Sequence, residues 1–111
     1  LHGPHSGLGN YTRTAEYSVE WVSELIEHAL QEDKKKVETT EEGMDEWTDH
    51  VLSLGVGLLA NEVGSWMTGV NRNLETKQKP KIMRYSGGHP AYREFCDKVK
   101  ADGYRNVVFN P

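Results

Sequence analysis

One cysteine, two phenylalanines and four prolines stand among 111 residues, and each scarcity excludes a class of protein. A lone Cys rules out an internal disulfide framework and fits a reducing compartment, so the expected location is cytoplasmic. No apolar run approaches the roughly 20 residues that a membrane helix needs. Excess positive charge is also lacking. Thirteen Lys and Arg face seventeen Asp and Glu, a net of -4, which argues against a dedicated nucleic-acid binder. Five histidines occur, at positions 2, 5, 28, 50 and 89, but none pairs with His or Cys at a metal-ligand spacing. Gly-x-Ser-x-Gly is missing. The opening run Gly3-Pro4-His5-Ser6-Gly7-Leu8-Gly9 fits neither the dinucleotide nor the phosphate-loop pattern.

What remains is a globular composition, 36% hydrophobic and 27% charged, long enough for one domain and not for two. The chain opens Leu1-His2-Gly3-Pro4 without Met, and a piece of a longer chain is expected. Residues 1–12 read as an irregular loop. From 14 to 31, Val19, Val22, Leu25, Ile26, Ala29 and Leu30 recur at three- and four-residue steps, which predicts an amphipathic helix buried along that stripe. Charges at 32–36 end it in solvent. Thr39-Thr40-Glu41-Glu42 matches a capping box, and Met44, Trp47, Val51, Leu54 and Leu58 predict a second helix reaching Ala60. Its tail, apolar nearly all round and carrying Gly55 and Gly57, is expected to be buried on several sides. Residues 61–81 read as a long loop of the kind that serves as a lid or binding segment. A short strand is expected at 82–85 and a turn at Gly87-Gly88. A third helix follows with Tyr92, Phe95, Cys96 and Val99 inward, then a left-handed cap at Gly103 and a last strand at Val107–Phe109. Two short strands and three helices make a poor autonomous core.

Chemistry-bearing residues are few. Cys96 falls on an apolar helix face and reads as core filler. His28 and His50 read as surface or helix-edge residues. Trp66, in Ser65-Trp66-Met67-Thr68-Gly69-Val70-Asn71, belongs to no helical or strand stripe; it is either a loop anchor or a stacking lid over a ligand. Lys77, Lys79 and Lys81 either solubilise that loop or meet phosphate. The loop at 1–12 precedes a helix whose free amides favour an electron-rich group.

Read in order, Gly3-Pro4, Asn10, Val19-Glu20-Trp21, Glu46-Trp47-Thr48-x-His50-Val51, Ser65-Trp66-x-x-Gly69-x-Asn71, Tyr85-x-Gly87-Gly88-x-x-x-Tyr92-Arg93, Cys96-Asp97 and Gly103-Tyr104 resemble the C-terminal region of the Baeyer–Villiger flavin monooxygenases. That family includes the cyclohexanone, phenylacetone and steroid ketone monooxygenases. The resemblance runs from residue 3 to about 109. It implies an α/β fold in which residues 1–111 complete a Rossmann-like FAD- and NAD(P)-binding domain and do not fold autonomously. Within it, 1–12 is a flavin-proximal loop, 14–60 two helices, 61–81 a control loop, and 82–111 strand, helix and strand. The implied enzyme uses FAD and NADPH to insert one oxygen atom from molecular oxygen next to a ketone, giving an ester or lactone. The implied partner is the remainder of the parent chain. By motif, Asn10 and Tyr11 fall at the flavin, Trp66 and Asn71 at NADP, and Leu8, Tyr11, Trp66 and Arg84 at the substrate pocket; no catalytic or metal residue is implied within these residues.

Two departures accompany the resemblance. The family usually follows the loop Asn with Pro-Gly-Lys, whereas Arg72-Asn73-Leu74-Glu75-Thr76-Lys77 intervenes here. Arg84 occupies a position that is commonly apolar or aromatic. The competing expectation is a free-standing helical interaction module that binds a partner helix through Trp21, Trp47 and the apolar stripes. Few apolar residues fix the loop from Trp66 to Lys81, so it is expected to be mobile without nucleotide.

Overall fold

The computed structural model describes residues 10–111 apart from 63, 65–67, 77, 82 and 83. The first helix, α1, spans Tyr11–Gln31, starting three residues earlier than its apolar stripe suggests. Asn10 is the reason: its side-chain oxygen accepts from the Arg13 N–H at 3.2 Å and so satisfies one of the first orphan amides.

Strand β1, Lys36–Thr39, pairs antiparallel with β2, Val107–Asn110, Val37 opposite Phe109 and Thr39 opposite Val107. The charges at 32–36 do end α1 in solvent, but the strand that begins at Lys36 was not expected. All four of its residues are exposed, so the strand is defined by its pairing, which a local pattern does not carry.

Helix α2, Glu41–Leu54, is capped by Thr40, whose hydroxyl accepts from the Gly43 N–H at 2.9 Å. The third helical residue is Gly43 where a capping box needs Glu, so the reciprocal half of that motif is missing. Gly43 is there for space: a Cβ would stand 2.6 Å from the Asn106 Cβ. α2 stops at Leu54 and does not reach Ala60. Gly57 turns the chain at φ +78°, and a single 3-10 turn follows at Leu59–Glu62. The tail expected to be buried is bare, with Val56 79% and Leu59 86% exposed.

Of the strand expected at 82–85, Arg84 lies in a bend and Tyr85 forms an isolated bridge, while Ile82 and Met83 lie outside the described residues. Helix α3, Gly88–Ala101, begins at Gly88 with φ +80° and ends before Gly103 and Tyr104, both left-handed. The left-handed Tyr104 costs about 1–2 kcal/mol of backbone strain. Its ring, 5% exposed, is held against Trp21 and His28 at 5.4 and 5.3 Å, and that burial offsets the strain.

Contacts between α1 and α3 advance together: Thr14 with His89, Tyr17 with Arg93 and Asp97, Trp21 with Cys96, and Glu24 with Lys100. The two helices therefore run parallel. Their seam uses Thr14, Tyr17, Trp21 and His28, not the aliphatic stripe. Val19, Val22, Ile26 and Leu30 lie on a neighbouring face and remain exposed, Leu30 at 71%. Polar-tipped aromatics took the seam because each finds a hydrogen-bond or ring partner on α3 or near its end.

Among the described residues few side chains are buried: Thr14, Tyr17, Ala29, Val51, Thr68, Tyr85, Val99 and Tyr104, with Gly43 and Gly55 buried as backbone. The accessible surface is 8184 Å², against about 6,200 Å² expected for a folded monomer of this mass. The radius of gyration, 16.1 Å, likewise exceeds the roughly 13 Å of a compact domain of this length. No helix among the described residues is long and apolar enough to cross a membrane.

Candidate functional site

Asn10 and Tyr11 sit together at the start of α1. The Asn10 carbonyl accepts from both the Thr14 N–H and the Thr14 hydroxyl, at 3.2 and 3.3 Å. The first turn holds Arg13 and no acidic residue, so the positive pole of the helix is uncompensated there. Thr14 also lies 3.3 Å from His89 Nδ1, tying this end of α1 to the start of α3. The other ring nitrogen of His89 is buried without a partner. Sequence reading passed over His89, whose only local signal is its place two residues after Gly87.

Next along the seam, the Tyr17 hydroxyl donates to Asp97 Oδ1 at 2.7 Å, with the Arg93 guanidinium 5.0 Å from the ring centre. Burial, and then the bond to Asp97, hold the phenol proton more firmly than in a free tyrosine. Burial pushes the Cys96 thiol up to about 11, which keeps it protonated and unreactive. Cys96 is filler, as its helix face suggests.

A second cluster fixes Arg84. Trp47 stacks on Tyr85 at 5.4 Å and 7°, and Tyr85 is fully buried with its hydroxyl 3.1 Å from His50 Nε2. His50 in turn stacks on Phe95 at 5.0 Å. His50 and His28 are thus half-buried ring partners, not surface residues. Arg84, directly before Tyr85, lies in a half-buried bend, its carbonyl accepting from the Ser86 hydroxyl at 3.4 Å.

Between α1, α2 and α3 runs an open groove of about 690 Å³, with Tyr11 at one end and Trp21, Val22, Met44, Trp47 and Phe95 among its walls. Tyr11 therefore joins the groove, while Asn71 and Arg84 do not line it.

Asn71 lies in the long loop, which is less structureless than its composition suggests. The Lys81 N–H donates to the Thr68 carbonyl at 2.8 Å. Three residues further along each limb, the Gln78 side chain bonds Asn71, giving a hairpin-like arrangement. Arg72 reaches back to the Gly64 carbonyl at 2.9 Å. Leu8 and Trp66, the remaining site residues expected from sequence, lie outside the described residues.

The uncompensated α1 pole suits an electron-rich ring edge, but the described residues contain no Gly-rich strand-to-helix turn that would hold an adenine nucleotide. Among them, no three His, Cys, Asp or Glu side chains cluster as metal ligands.

No protein-family model matches the chain. The acetone monooxygenase (methyl acetate-forming) of Gordonia sp. strain TY-5 is 33% identical over 108 residues, 96% of this chain and 20% of its own length. The phenazine N-monooxygenase PhzNO1 of Lysobacter antibioticus is 30% identical over 97% of the chain and 19% of its own length. Among solved structures, the NADP+-bound cyclohexanone monooxygenase of Rhodococcus sp. Phi1 superposes with a TM-score of 0.82 at 28% identity, over 97% of this chain and 20% of that one. In fold and in sequence the chain resembles one segment of these monooxygenases. More narrowly, the chain is a relative of one segment of the Baeyer–Villiger monooxygenases, and it spans about a fifth of the length of the curated relatives it matches.

Proposed function

We propose that this chain is the C-terminal segment of an FAD- and NADPH-dependent Baeyer–Villiger monooxygenase that inserts one oxygen atom beside a ketone. The observation that carries the reading is the collinear match, across 97% of the chain, to the NADP+-bound cyclohexanone monooxygenase. The bound flavin supplies the redox chemistry by activating oxygen with electrons from NADPH. The chain's own residues bind and orient. Asn10 caps α1 and aims its positive pole at the flavin edge, and Tyr11 borders both flavin and substrate. Trp66 and Asn71 meet the nicotinamide nucleotide, and Leu8, Trp66 and Arg84 wall the substrate pocket. The segment completes a Rossmann-like domain whose remainder is its partner, and alone it is inactive. The surface in excess of a compact monomer supports this over a free-standing interaction module.

A second reading has one observation in its favour. The phenazine relative oxygenates nitrogen by name, so the oxygen acceptor is a ring nitrogen in that version. The test is the full-length flavoprotein supplied with NADPH, oxygen and either acetone, cyclohexanone or phenazine, with products identified by mass spectrometry. Ester or lactone formation is expected. N-oxide alone selects the second reading, and a protein that retains no FAD and consumes no NADPH overturns both.

A further inference from the structure

Between Asn71 and Lys79 the long loop is closed on itself by one side chain. The Asn71 N–H donates to Gln78 Oε1 at 2.8 Å, and Gln78 Nε2 donates to the Asn71 carbonyl at 2.7 Å. One carboxamide therefore pairs with both backbone groups of a single residue, as a facing peptide would in an antiparallel ladder. The geometry points to Gln78 as a positioning residue for the nucleotide loop, holding Asn71 so that its side chain offers only donors to bound NADP. This inference rests on the nucleotide role proposed for Asn71 above.

Hydrogen-bond accounting gives the argument its direction. The Asn71 side-chain oxygen accepts from the Asn73 N–H at 3.0 Å, and its carbonyl also accepts from the Leu74 N–H at 3.2 Å. Backbone N–H, backbone carbonyl and side-chain oxygen are all engaged and the residue is exposed, which leaves the two amide protons on Nδ2 for a ligand. A donor-only group suits phosphate, ribose or carboxamide oxygens, all of which a nicotinamide nucleotide carries. The base of the arm is anchored independently. Thr68 is 2% exposed and receives the Lys81 N–H, so loss of Gln78 frees Asn71 without releasing the whole loop. Gln78 itself has no motif that marks it; it stands in a Lys-flanked stretch that reads as solvated charge.

The experiment compares wild type, Gln78→Ala and Gln78→Glu in the full flavoprotein. Gln78→Glu keeps an acceptor for the Asn71 N–H but sets a carboxylate oxygen against the Asn71 carbonyl. Both variants are expected to raise the KM for NADPH about tenfold, the weight of one to two exposed hydrogen bonds, with kcat within twofold. Amide exchange at Asn71 without nucleotide should accelerate by a similar factor in Gln78→Ala, which removes the acceptor of that N–H. An unchanged KM despite faster exchange overturns the positioning role, and unchanged exchange overturns the clasp itself. If Gln78→Ala loses FAD, the Glu variant decides. Wild-type protein that oxidises no NADPH overturns the parent reading instead, and the exchange measurement still decides whether Gln78 holds Asn71.

Discussion

Ile26 lies in the middle of the aliphatic stripe that α1 leaves bare, 53% exposed between Val22 and Leu30. Replacing it by Asp separates the two architectures open to this chain. If the described surface is the final one, the substitution is a solvent-side change on a helix, within about 0.5 kcal/mol of neutral. If another part of a flavin domain covers α1, two larger effects act. Covering the remaining half of an Ile side chain is worth about 1 kcal/mol, half of the roughly 1.5–3 kcal/mol of full burial. The new carboxylate then sits in an apolar seam with no cation on its own stripe, which adds at least about 2 kcal/mol of desolvation. The sum, about 3 kcal/mol, lies far outside the surface range. The assay is thermal unfolding of the full flavoprotein followed by flavin release, with Lys98→Ala as control, since Lys98 makes an exposed i,i+4 pair with Glu94. The control should be silent and Ile26→Asp should lower the midpoint by several degrees and loosen FAD. An Ile26→Asp protein that melts with wild type and keeps its flavin refutes the covered-face argument.

Two further outcomes follow from single distances and burial. Gly43→Ala gains about 1 kcal/mol of helix propensity but drives a methyl to 2.6 Å from Asn106 Cβ. Overpacking of about 1–3 kcal/mol should win because that atom is fixed to the backbone, and chemical denaturation showing a more stable Gly43→Ala protein would contradict it. The Cys96 thiol, raised to about 11, should alkylate with iodoacetamide at pH 8 on the order of a hundredfold more slowly than the denatured chain. The sign is that of a neutral form favoured on folding: stability is retained below the ordinary thiol range and declines as pH rises through it toward 11. Equal rates in native and denatured protein would show that the site is open.

Much of the helical skeleton is legible in the sequence because period and caps are local. Thr40 and Gly103 mark ends by hydrogen bonding or left-handed geometry that a few residues dictate, whereas the cap at Asn10, which starts α1 three residues ahead of its apolar stripe, was not read. What escapes is non-local. β1 exists because Val107–Asn110 lies beside it, and nothing in Lys-Val-Glu-Thr announces that. The inward face of α1 was legible as amphipathic but not in its direction, since two adjacent faces carry apolar atoms. Hydropathy favours Val19, Val22 and Ile26, while packing within the chain uses Thr14, Tyr17, Trp21 and His28, whose polar tips reach Asp97, Cys96 and His89. A helix with two such faces is what a layer between two neighbours requires.

The site divides in the same way. Asn10 and Tyr11 were singled out by the resemblance alone, not by a local signal; the structure makes Asn10 the cap of α1 and ties that end to α3 through Thr14 and His89. Gln78 was not, because its role depends on a facing residue seven positions away in a stretch whose composition says only that it is wet. The described residues hold Cys96 as a neutral thiol and group no three metal ligands. They supply a positive helix pole, a donor-bearing loop and apolar walls. Such parts suit orienting and enclosing, which is the role proposed for them, and that role needs a second surface against α1. The exposed stripe from Val19 to Leu30 and the orientation of the α1 pole are therefore one requirement: the helix can present Asn10 to a flavin only if the face that seats it is covered, which is why a charge placed at Ile26 should be read out in flavin retention before it is read out in the helix itself.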